Sequence, residues 1–540
     1  MRVTSREQID SRSEFFRRCR LLAISAVSVV AIAACGGGGG GGDSGGAQEP
    51  PPTQSPPSNP PSTPPPANAA PTVNAGADHT IEWPTNTVEV SGSATDDSST
   101  SLTYEWSATS GPTGVTFASA TSAATTVTFP SAGSYVLTLT VSDGSASGTD
   151  TVAVTVNPAT YPASDAANDT EDHGWARVAA AADVGMDQAL LVQAATYAST
   201  SGTVNPADNA GMIVRHGRIV HSWGEIDQRY DMKSTTKSIG GIALGLAIDR
   251  GLLAVGDAAQ TRLPTIGAIP ASNAGTGWLG DITVLQLATH TAGFAKTGAY
   301  TLPPPNDANP TLIYQPGTTW FYSDGGLNWL SETLTAVFNQ DLSEVLRTDV
   351  WSVLGLNSTT GPAGGGSTSD IHWRDNAFRP QGDTIPHNRE LASGIFANAN
   401  AMARVGLLFL RKGMWANDQR VLSEAFVQLV STPPEANAAL SNPDEANFPG
   451  ATTNYGVLWW TNATGLLPNV PRDAFWAWGL GDSLIVVIPS LDIVAVRAGP
   501  QADPLTQETP TERVWNDTDW NGDYAVLAPF LDPIVQSVTP

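Results

Sequence analysis

The stretch STTKSIGGIALGLAIDRG, residues 234–251, carries the clearest structural signal in the chain. Its apolar residues recur three and four positions apart, which is the spacing of a helix face that packs into a core. Gly251 ends the pattern, as glycine commonly does just after a helix. The pattern therefore predicts a buried helix that begins at Ser234, with Lys237 one turn later on the same face.

This arrangement of serine and lysine suits a nucleophile and its base. Serine attacks poorly until a base takes its proton, and a helix start offers unpaired N–H groups beside the serine oxygen. Lysine can lose its proton in a suitable environment, whereas arginine cannot. The chain has only four lysines: Lys233, Lys237, Lys296 and Lys412. Taken alone, the pair could also be a helix cap and a surface residue.

Two later stretches extend the pattern. Residues 281–294 read DITVLQLATHTAGF, and residues 316–329 read PGTTWFYSDGGLNW. With the S-x-x-K at Ser234, they resemble the S-x-x-K, T-x-x-x-L-L-x-H-x-S-G and P-G-x-x-F-x-Y-S-N segments of serine β-lactamase-related and penicillin-binding-protein-like hydrolases. The resemblance spans roughly residues 182–533 and keeps the segments in the family's order.

The resemblance implies roles for individual residues. Tyr322 matches the tyrosine that accepts the serine proton and passes it to the leaving group. We expect the Lys237 ammonium to lower the pKa of this phenol, so that the two groups share protons. His290 is expected to be a structural residue behind the site. Asp324 stands where the family has asparagine, at the substrate, and cannot donate an amide N–H to a substrate carbonyl, which argues against β-lactam binding.

A third family segment is a K-T-G or H-x-G motif on an edge strand. Lys296-Thr297-Gly298 has the right letters but precedes Tyr322, whereas the family's segment follows the tyrosine. The better match is FWAWGLG at residues 475–481, which opens the two strands of a terminal hairpin. By analogy, the backbone N–H groups of Leu480 and Ser234 would form an oxyanion hole.

The same segment bears on substrate choice. Ala477, Trp478 and Gly479 would replace K-T-G at the substrate, and the basic residue that usually anchors a substrate carboxylate is missing. This favours an ester or amide without that carboxylate, and the segment resembles the 6-aminohexanoate-dimer hydrolase and carboxylesterase branch of the family. Four tryptophans near these segments could line an acyl pocket, although core packing is the simpler interpretation: Trp320, Trp459, Trp476 and Trp478.

Upstream, residues 71–157 have a different composition. Thr, Ser, Val and Ala alternate in short runs separated by turn residues, and lysine and arginine are absent. Such spacing is typical of a β-sandwich. The phrases YEW at residues 104–106 and VSDG at residues 141–144 resemble PKD and related immunoglobulin-like modules, for which a spacer role is expected.

The first residues resemble a lipoprotein export signal. Six arginines precede an apolar run, and the run ends in Ile-Ala-Ala-Cys at Cys35. We therefore predict a signal peptide at residues 1–34 and a disordered Gly- and Pro-rich tether at residues 35–70. Cys35 would carry the lipid and hold the mature protein on a membrane of the bacterial cell envelope. An ordinary signal peptide is the alternative.

Composition excludes several functions. A net charge of −25 would repel phosphates, so nucleic-acid binding is not expected. No zinc-type histidine motif is present, and the acidic turn at residues 517–522 has Ala528 where a calcium loop needs glutamate. We therefore expect no metal and no cofactor.

The sequence thus predicts a multidomain protein. An all-β Ig-like sandwich would precede an α+β domain at residues 160–540, with an antiparallel sheet flanked by helices and a helical insertion. The expected activity is hydrolysis of a small ester or amide through an acyl-enzyme on Ser234. Two alternatives remain: a D,D-peptidase or β-lactamase, and a non-catalytic surface-binding lipoprotein.

Overall fold

The computed structural model describes residues 68–83, 85–97, 101–164, 171–200, 209–295, 310–361, 369–374, 389–499 and 524–539. The predicted signal peptide, Cys35 and nearly all of the predicted tether lie outside these residues, as do the rejected Lys296-Thr297-Gly298 motif and the acidic turn at residues 517–522. In the part that the structure describes, no helix combines the length and apolar character needed to cross a membrane.

The N-terminal module is a β-sandwich, as its alternating composition predicts. A four-stranded sheet has the order β2-β9-β8-β5, a three-stranded sheet has the order β3-β7-β6, and β1 pairs with β4. The strands are β1 (Thr72–Asn74), β2 (His79–Glu82), β3 (Thr87–Ser91), β4 (Ser93–Thr95), β5 (Thr103–Ser110), β6 (Thr116–Phe117), β7 (Ala124–Thr128), β8 (Gly133–Ser142) and β9 (Ser147–Asn157).

Alternation explains why this module folds. In β8 every second residue is buried, from Tyr135 to Val141, and the residues between them are partly exposed. Their apolar side chains meet Trp106 and Phe129 in one core between the sheets. Glu82 links the module to the second region of the chain, because its carboxylate accepts from the Thr160 N–H at 3.1 Å and from Arg218 Nη1 at 3.0 Å.

The second region is built on a seven-stranded sheet of order β10-β12-β11-β22-β21-β20-β19, antiparallel except where β10 meets β12. A four-stranded sheet has the order β13-β16-β15-β14, and β17 pairs with β18. The strands are β10 (Ala176–Arg177), β11 (Ala210–Arg215), β12 (Arg218–Trp223), β13 (Tyr230–Asp231), β14 (Ser358–Gly361), β15 (Ile371–Arg374), β16 (Ile395–Ala397), β17 (Met414–Trp415), β18 (Gln419–Arg420), β19 (Trp460–Thr461), β20 (Phe475–Trp478), β21 (Leu484–Ile488) and β22 (Ile493–Ala498).

Helices cover both faces of the large sheet. They are α1 (Gln188–Thr200), α2 (Thr235–Gly240), α3 (Ile242–Asp249), α4 (Val284–Ala288), α5 (Asp324–Phe338), α6 (Leu342–Leu346), α7 (Ser352–Leu354), α8 (Ala399–Leu410), α9 (Glu424–Ser431), α10 (Ala451–Asn454) and α11 (Ala528–Gln536). A π-helical turn at Arg347–Trp351 joins α6 to α7. The expected fold, a sandwich followed by an α+β domain with an antiparallel sheet flanked by helices, is confirmed.

The unbroken apolar sequence of β21 follows from this layering. Ile485 and Val487 face the core that contains α8, whereas Leu484, Val486 and Ile488 face the core that contains α1 and α11. A strand that is covered on both faces gains from apolar side chains at every position. The sheet is therefore a rigid, dry support, and the end of β20 lies beside the start of α2.

The predicted single helix over residues 234–251 is in fact two. α2 ends at Gly240, and α3 begins at Ile242. A Cβ at Gly241 would lie 2.4 Å from Leu458 Cδ1 and 2.6 Å from the Lys237 carbonyl oxygen. The glycine thus permits a close contact with a distant residue of the chain, and the backbone changes its hydrogen-bond pattern there.

Candidate active site

Ser234 directly precedes α2, as the sequence predicts. The residue before it, Lys233, has a left-handed backbone with φ of +46°. Asp231 supports this turn, because its carboxylate accepts from the Lys233 N–H at 3.0 Å and forms an ion pair with Lys233 Nζ at 2.8 Å. Lys233 and Asp231 together hold the serine at the helix start, a support that sequence analysis did not identify.

Three residues that the sequence nominates meet at one oxygen. Ser234 Oγ accepts a hydrogen bond from Lys237 Nζ at 3.0 Å and another from Tyr322 Oη at 2.8 Å. Lys237 lies one helical turn after the serine, whereas Tyr322 comes from the segment that leads into α5. The side chains of Lys237 and Tyr322 are buried. The serine oxygen is thus held between two proton-bearing groups in a largely dry environment.

Lys237 makes three polar contacts, two hydrogen bonds and one ion pair. Besides Ser234 Oγ, it donates to the Ala392 carbonyl oxygen at 2.7 Å and contacts Asp324 Oδ1 at 2.8 Å. The two hydrogen bonds and the ion pair hold Nζ beside the serine oxygen. The ion pair with Asp324 is a contact that sequence analysis did not predict, since it placed Asp324 at the substrate.

The expected lowering of the Tyr322 pKa is wrong. Burial raises the pKa of Tyr322 well above its ordinary value, and the nearby Asp324 carboxylate raises it further, although the hydrogen bond to Ser234 opposes both effects. Lys237 lies 4.9 Å from the centre of the Tyr322 ring, but its charge is paired with Asp324. Tyr322 is therefore a neutral phenol that donates its proton to the serine oxygen.

The Tyr322 ring is held between two other rings. Phe448 stacks on it with centroids 4.8 Å apart and planes 6° apart, and His290 stacks at 4.4 Å and 24°. His290 Nδ1 also accepts from the Ser323 N–H at 3.1 Å. His290 thus lies behind the site, where the family resemblance placed it. Phe448 carried no motif, and only the fold reveals its position.

The end of β20 brings backbone, not side chains, to the serine. A Cβ added to Gly479 would lie 3.1 Å from the Ser234 nitrogen and 2.2 Å from the Met232 carbonyl oxygen. Ala477 and Trp478, in contrast, are buried on opposite faces of the sheet. The structure therefore brings Gly479 to the site but packs the Ala477 and Trp478 side chains in the interior, where the strand's alternation directs them.

Buried side chains hold the loop after Gly479 through hydrogen bonds to its carbonyl oxygens. Arg497 is fully buried and donates to the carbonyl oxygens of Gly481 and Asp482, both at 2.9 Å. Thr235 donates to the Ser483 carbonyl oxygen at 2.7 Å, which links the loop to α2. Among the described residues, the N–H groups of Ser234 and Leu480 donate no hydrogen bond to the protein.

Other aromatic and charged residues near these elements are internal. Trp320, Trp459 and Trp476 are almost completely buried, so they pack the core and do not line an open pocket. Glu390 forms an ion pair with Arg374 at 2.6 Å. Burial raises the pKa of Glu390, but Arg374 and Lys237 lower it by more, so the net shift is downward.

Family models match both regions of the chain. A model described as Beta-lactamase matches residues 167–507, and a model of a PKD domain matches residues 75–156. No curated protein matches the chain.

Several solved structures resemble parts of the chain. A Bacillus anthracis protein provisionally named 6-aminohexanoate-dimer hydrolase shows 17% identity and a TM-score of 0.45 over 61% of this chain and 79% of its own. EstCE1, described as a hydrolase with promiscuous acyltransferase activity, shows 15% identity and a TM-score of 0.43 over 67% of this chain and 98% of its own. The PKD domain of the KIAA 1837 protein shows 34% identity and a TM-score of 0.16 over 17% of this chain and 91% of its own.

Proposed function

The chain belongs to the β-lactamase family of serine hydrolases and carries a PKD module in front of that domain, and we propose that it cleaves an ester or amide through an acyl-enzyme on Ser234. The observation that carries this proposal is the convergence of Lys237 Nζ and Tyr322 Oη on Ser234 Oγ, at 3.0 and 2.8 Å. Once its proton is removed, a serine held in this way attacks a carbonyl carbon, and water later releases the acyl group.

The tetrahedral intermediate needs donors for its oxyanion. The N–H groups of Ser234 and Leu480 are suited to this role, because the fold brings them to the same end of β20 and gives neither a partner among the described residues. Arg497 and Thr235 hold the loop that carries Leu480. Preorganised donors of this kind each contribute about 10²–10³-fold to such reactions.

Charge supports a substrate without a carboxylate. The two lysines beside the nucleophile already have carboxylate partners: Lys233 pairs with Asp231, and Lys237 pairs with Asp324. Position 477, where a basic residue would anchor a substrate carboxylate, is a buried alanine. These features favour an uncharged ester or amide over a D,D-peptide or a β-lactam.

The direct test is hydrolysis of a short-chain p-nitrophenyl ester by the full chain and by Ser234→Ala. We expect activity in the wild type, loss in Ser234→Ala, and full activity in the matched control Ser352→Ala, whose serine lies on an exposed helical surface. Amide and β-lactam substrates in the same assay rank the substrate classes. Equal rates in wild type and Ser234→Ala would exclude Ser234 as the nucleophile. No activity in either protein would leave a narrow amidase or a binding lipoprotein.

The N-terminal residues support a second proposal, on location. We propose that the chain is exported and held on the cell envelope by a lipid on Cys35, because the arginine-rich start, the apolar run and the Ile-Ala-Ala-Cys sequence occur in the order that such signals require. Incorporation of a labelled fatty acid into the wild type, and its loss in Cys35→Ala, is the expected result. Equal labelling of both proteins would contradict the proposal.

A further inference from the structure

Two donors converge on Ser234 Oγ in the part of the chain that the structure describes. Lys237, paired with Asp324, and Tyr322, a phenol, both donate to this oxygen. Attack on a carbonyl requires that the serine lose its own proton, so some group connected to this network must accept one. The proposed function leaves that group unassigned.

Most of the titratable groups around Ser234 are poorly suited to accept its proton. The pKa values of Tyr322 and Tyr455 are both raised by burial, which disfavours their phenolate forms. His290 lies behind Tyr322, with Nδ1 occupied by the Ser323 N–H. Glu390 also lies near Lys237, but it is bound by Arg374 at 2.6 Å and by Ser393 at 2.6 Å.

Asp324 differs from all of these groups. Its Oδ1 forms an ion pair with Lys237 Nζ at 2.8 Å, and its side chain keeps 14% of its surface exposed. Asp324 is the first residue of α5, and its carboxylate is already in contact with the lysine ammonium. A carboxylate that contacts the lysine, which in turn contacts the serine, completes a path for one proton.

We propose that Asp324 is the residue through which Lys237 becomes the base: as Ser234 Oγ attacks, Nζ passes a proton to Asp324 Oδ1 and takes the serine proton. This inference rests on the proposed function. The Oγ–H bond breaks, an Oγ–C bond forms, and the carbonyl electron pair moves to the oxyanion. When the intermediate collapses, the bond to the leaving group breaks, and the stored proton returns through Lys237 to the leaving atom. Water replaces the serine in deacylation.

Asp324 touches no reacting atom and is therefore a positioning residue that acts through Lys237. The test is Asp324→Asn in the full chain, which keeps the size of the side chain but cannot take the proton. We expect kcat for the p-nitrophenyl ester to fall about 100-fold, as for loss of a general base, with KM little changed. The matched control is Glu390→Gln, which removes a nearby carboxylate that does not contact the lysine.

The pH–rate profile separates this role from a structural one. The wild-type profile should fall in acid, and Glu390→Gln should keep that acid limb. In Asp324→Asn the limb should disappear, and activity should rise in alkali, because loss of the Asp324 charge lowers the pKa of Tyr322 relative to the wild type. An unchanged acid limb with wild-type kcat would overturn the proposal.

A second variant covers the case in which Asp324→Asn does not fold. Asp324→Ala leaves space for a small carboxylate, and added formate should restore its activity, whereas chloride at the same ionic strength should not. Equal effects of formate and chloride would contradict the proposal. Failure of the proposed function would instead appear as equal hydrolysis by the wild type and by Ser234→Ala. The two failures can therefore be distinguished.

Discussion

Replacement of Gly479 by alanine should separate the oxyanion donor from the nucleophile. The new Cβ would lie 2.2 Å from the Met232 carbonyl oxygen, 3.1 Å from the Ser234 nitrogen and 3.0 Å from the Thr235 nitrogen. All three are backbone atoms that cannot rotate away, so the end of β20 must retreat by roughly 1 Å to reach ordinary contact distance. A displacement of about 1 Å at a reacting group can cost about 100-fold in rate.

We therefore expect Gly479→Ala to lower kcat for the p-nitrophenyl ester about 100-fold, which corresponds to about 2.7 kcal/mol of transition-state stabilisation. Gly256→Ala is the matched control, because a Cβ there meets nothing within 4 Å. Circular dichroism must show that both variants are folded. A folded Gly479→Ala with wild-type kcat would refute the reasoning that this strand end positions the oxyanion hole.

Three further variants test other contacts. Tyr322→Phe should lower kcat by about 10²–10⁴-fold in steady-state assays while the melting temperature stays near that of the wild type, because only the hydroxyl is lost. Phe448→Ala should lower the free energy of unfolding by about 3–5 kcal/mol in urea and also reduce kcat, because Tyr322 loses its stacking partner. Asp492→Asn should destabilise the fold at neutral pH by about 3–5 kcal/mol, because it breaks a buried ion pair with Arg411. Burial raises the pKa of Asp492, but His216 and Arg411 lower it by more, so the net shift is downward. The stabilisation by the ionised Asp492 is therefore present above the ordinary pKa of 3.8 and disappears as the pH falls through the lowered pKa. Urea titrations at several pH values should show that the difference in unfolding free energy between wild type and Asp492→Asn shrinks in acid.

Local patterns predicted part of the architecture, whereas the α+β domain was expected from the family resemblance. Strict alternation in the N-terminal module predicted a sandwich, and the helical spacing after Ser234 predicted that the serine lies at a helix start. The break between α2 and α3 could not be read in this way. At Gly241 the chain packs close to Leu458, more than two hundred residues later, and a local pattern carries no information on such packing.

At the site, too, some features could be predicted from the sequence and others depend on the fold. Motif order nominated Ser234, Lys237 and Tyr322, and the fold brings them together. The state of Tyr322 was predicted in the wrong direction, since it depends on burial and on the Asp324 carboxylate. The replacement of asparagine at position 324 was visible in the sequence, but its contact with Lys237 was not.

Some contributions leave no trace in the sequence. Lys237 is oriented partly by the Ala392 carbonyl oxygen, and any residue could supply that group. Phe448 reaches the site from a segment without a recognisable motif. Only the fold shows that these residues lie at the site.

The central claim is that Ser234 carries the acyl group. The most direct test is to mix the full chain with a p-nitrophenyl ester, stop the reaction with acid before the first turnovers are complete, and map the added acyl mass by peptide mass spectrometry. We predict one acyl group on the peptide that contains Ser234, and none in Ser234→Ala. Ester hydrolysis with the acyl group on another residue, or with no covalent intermediate while Ser234→Ala stays active, would contradict the account.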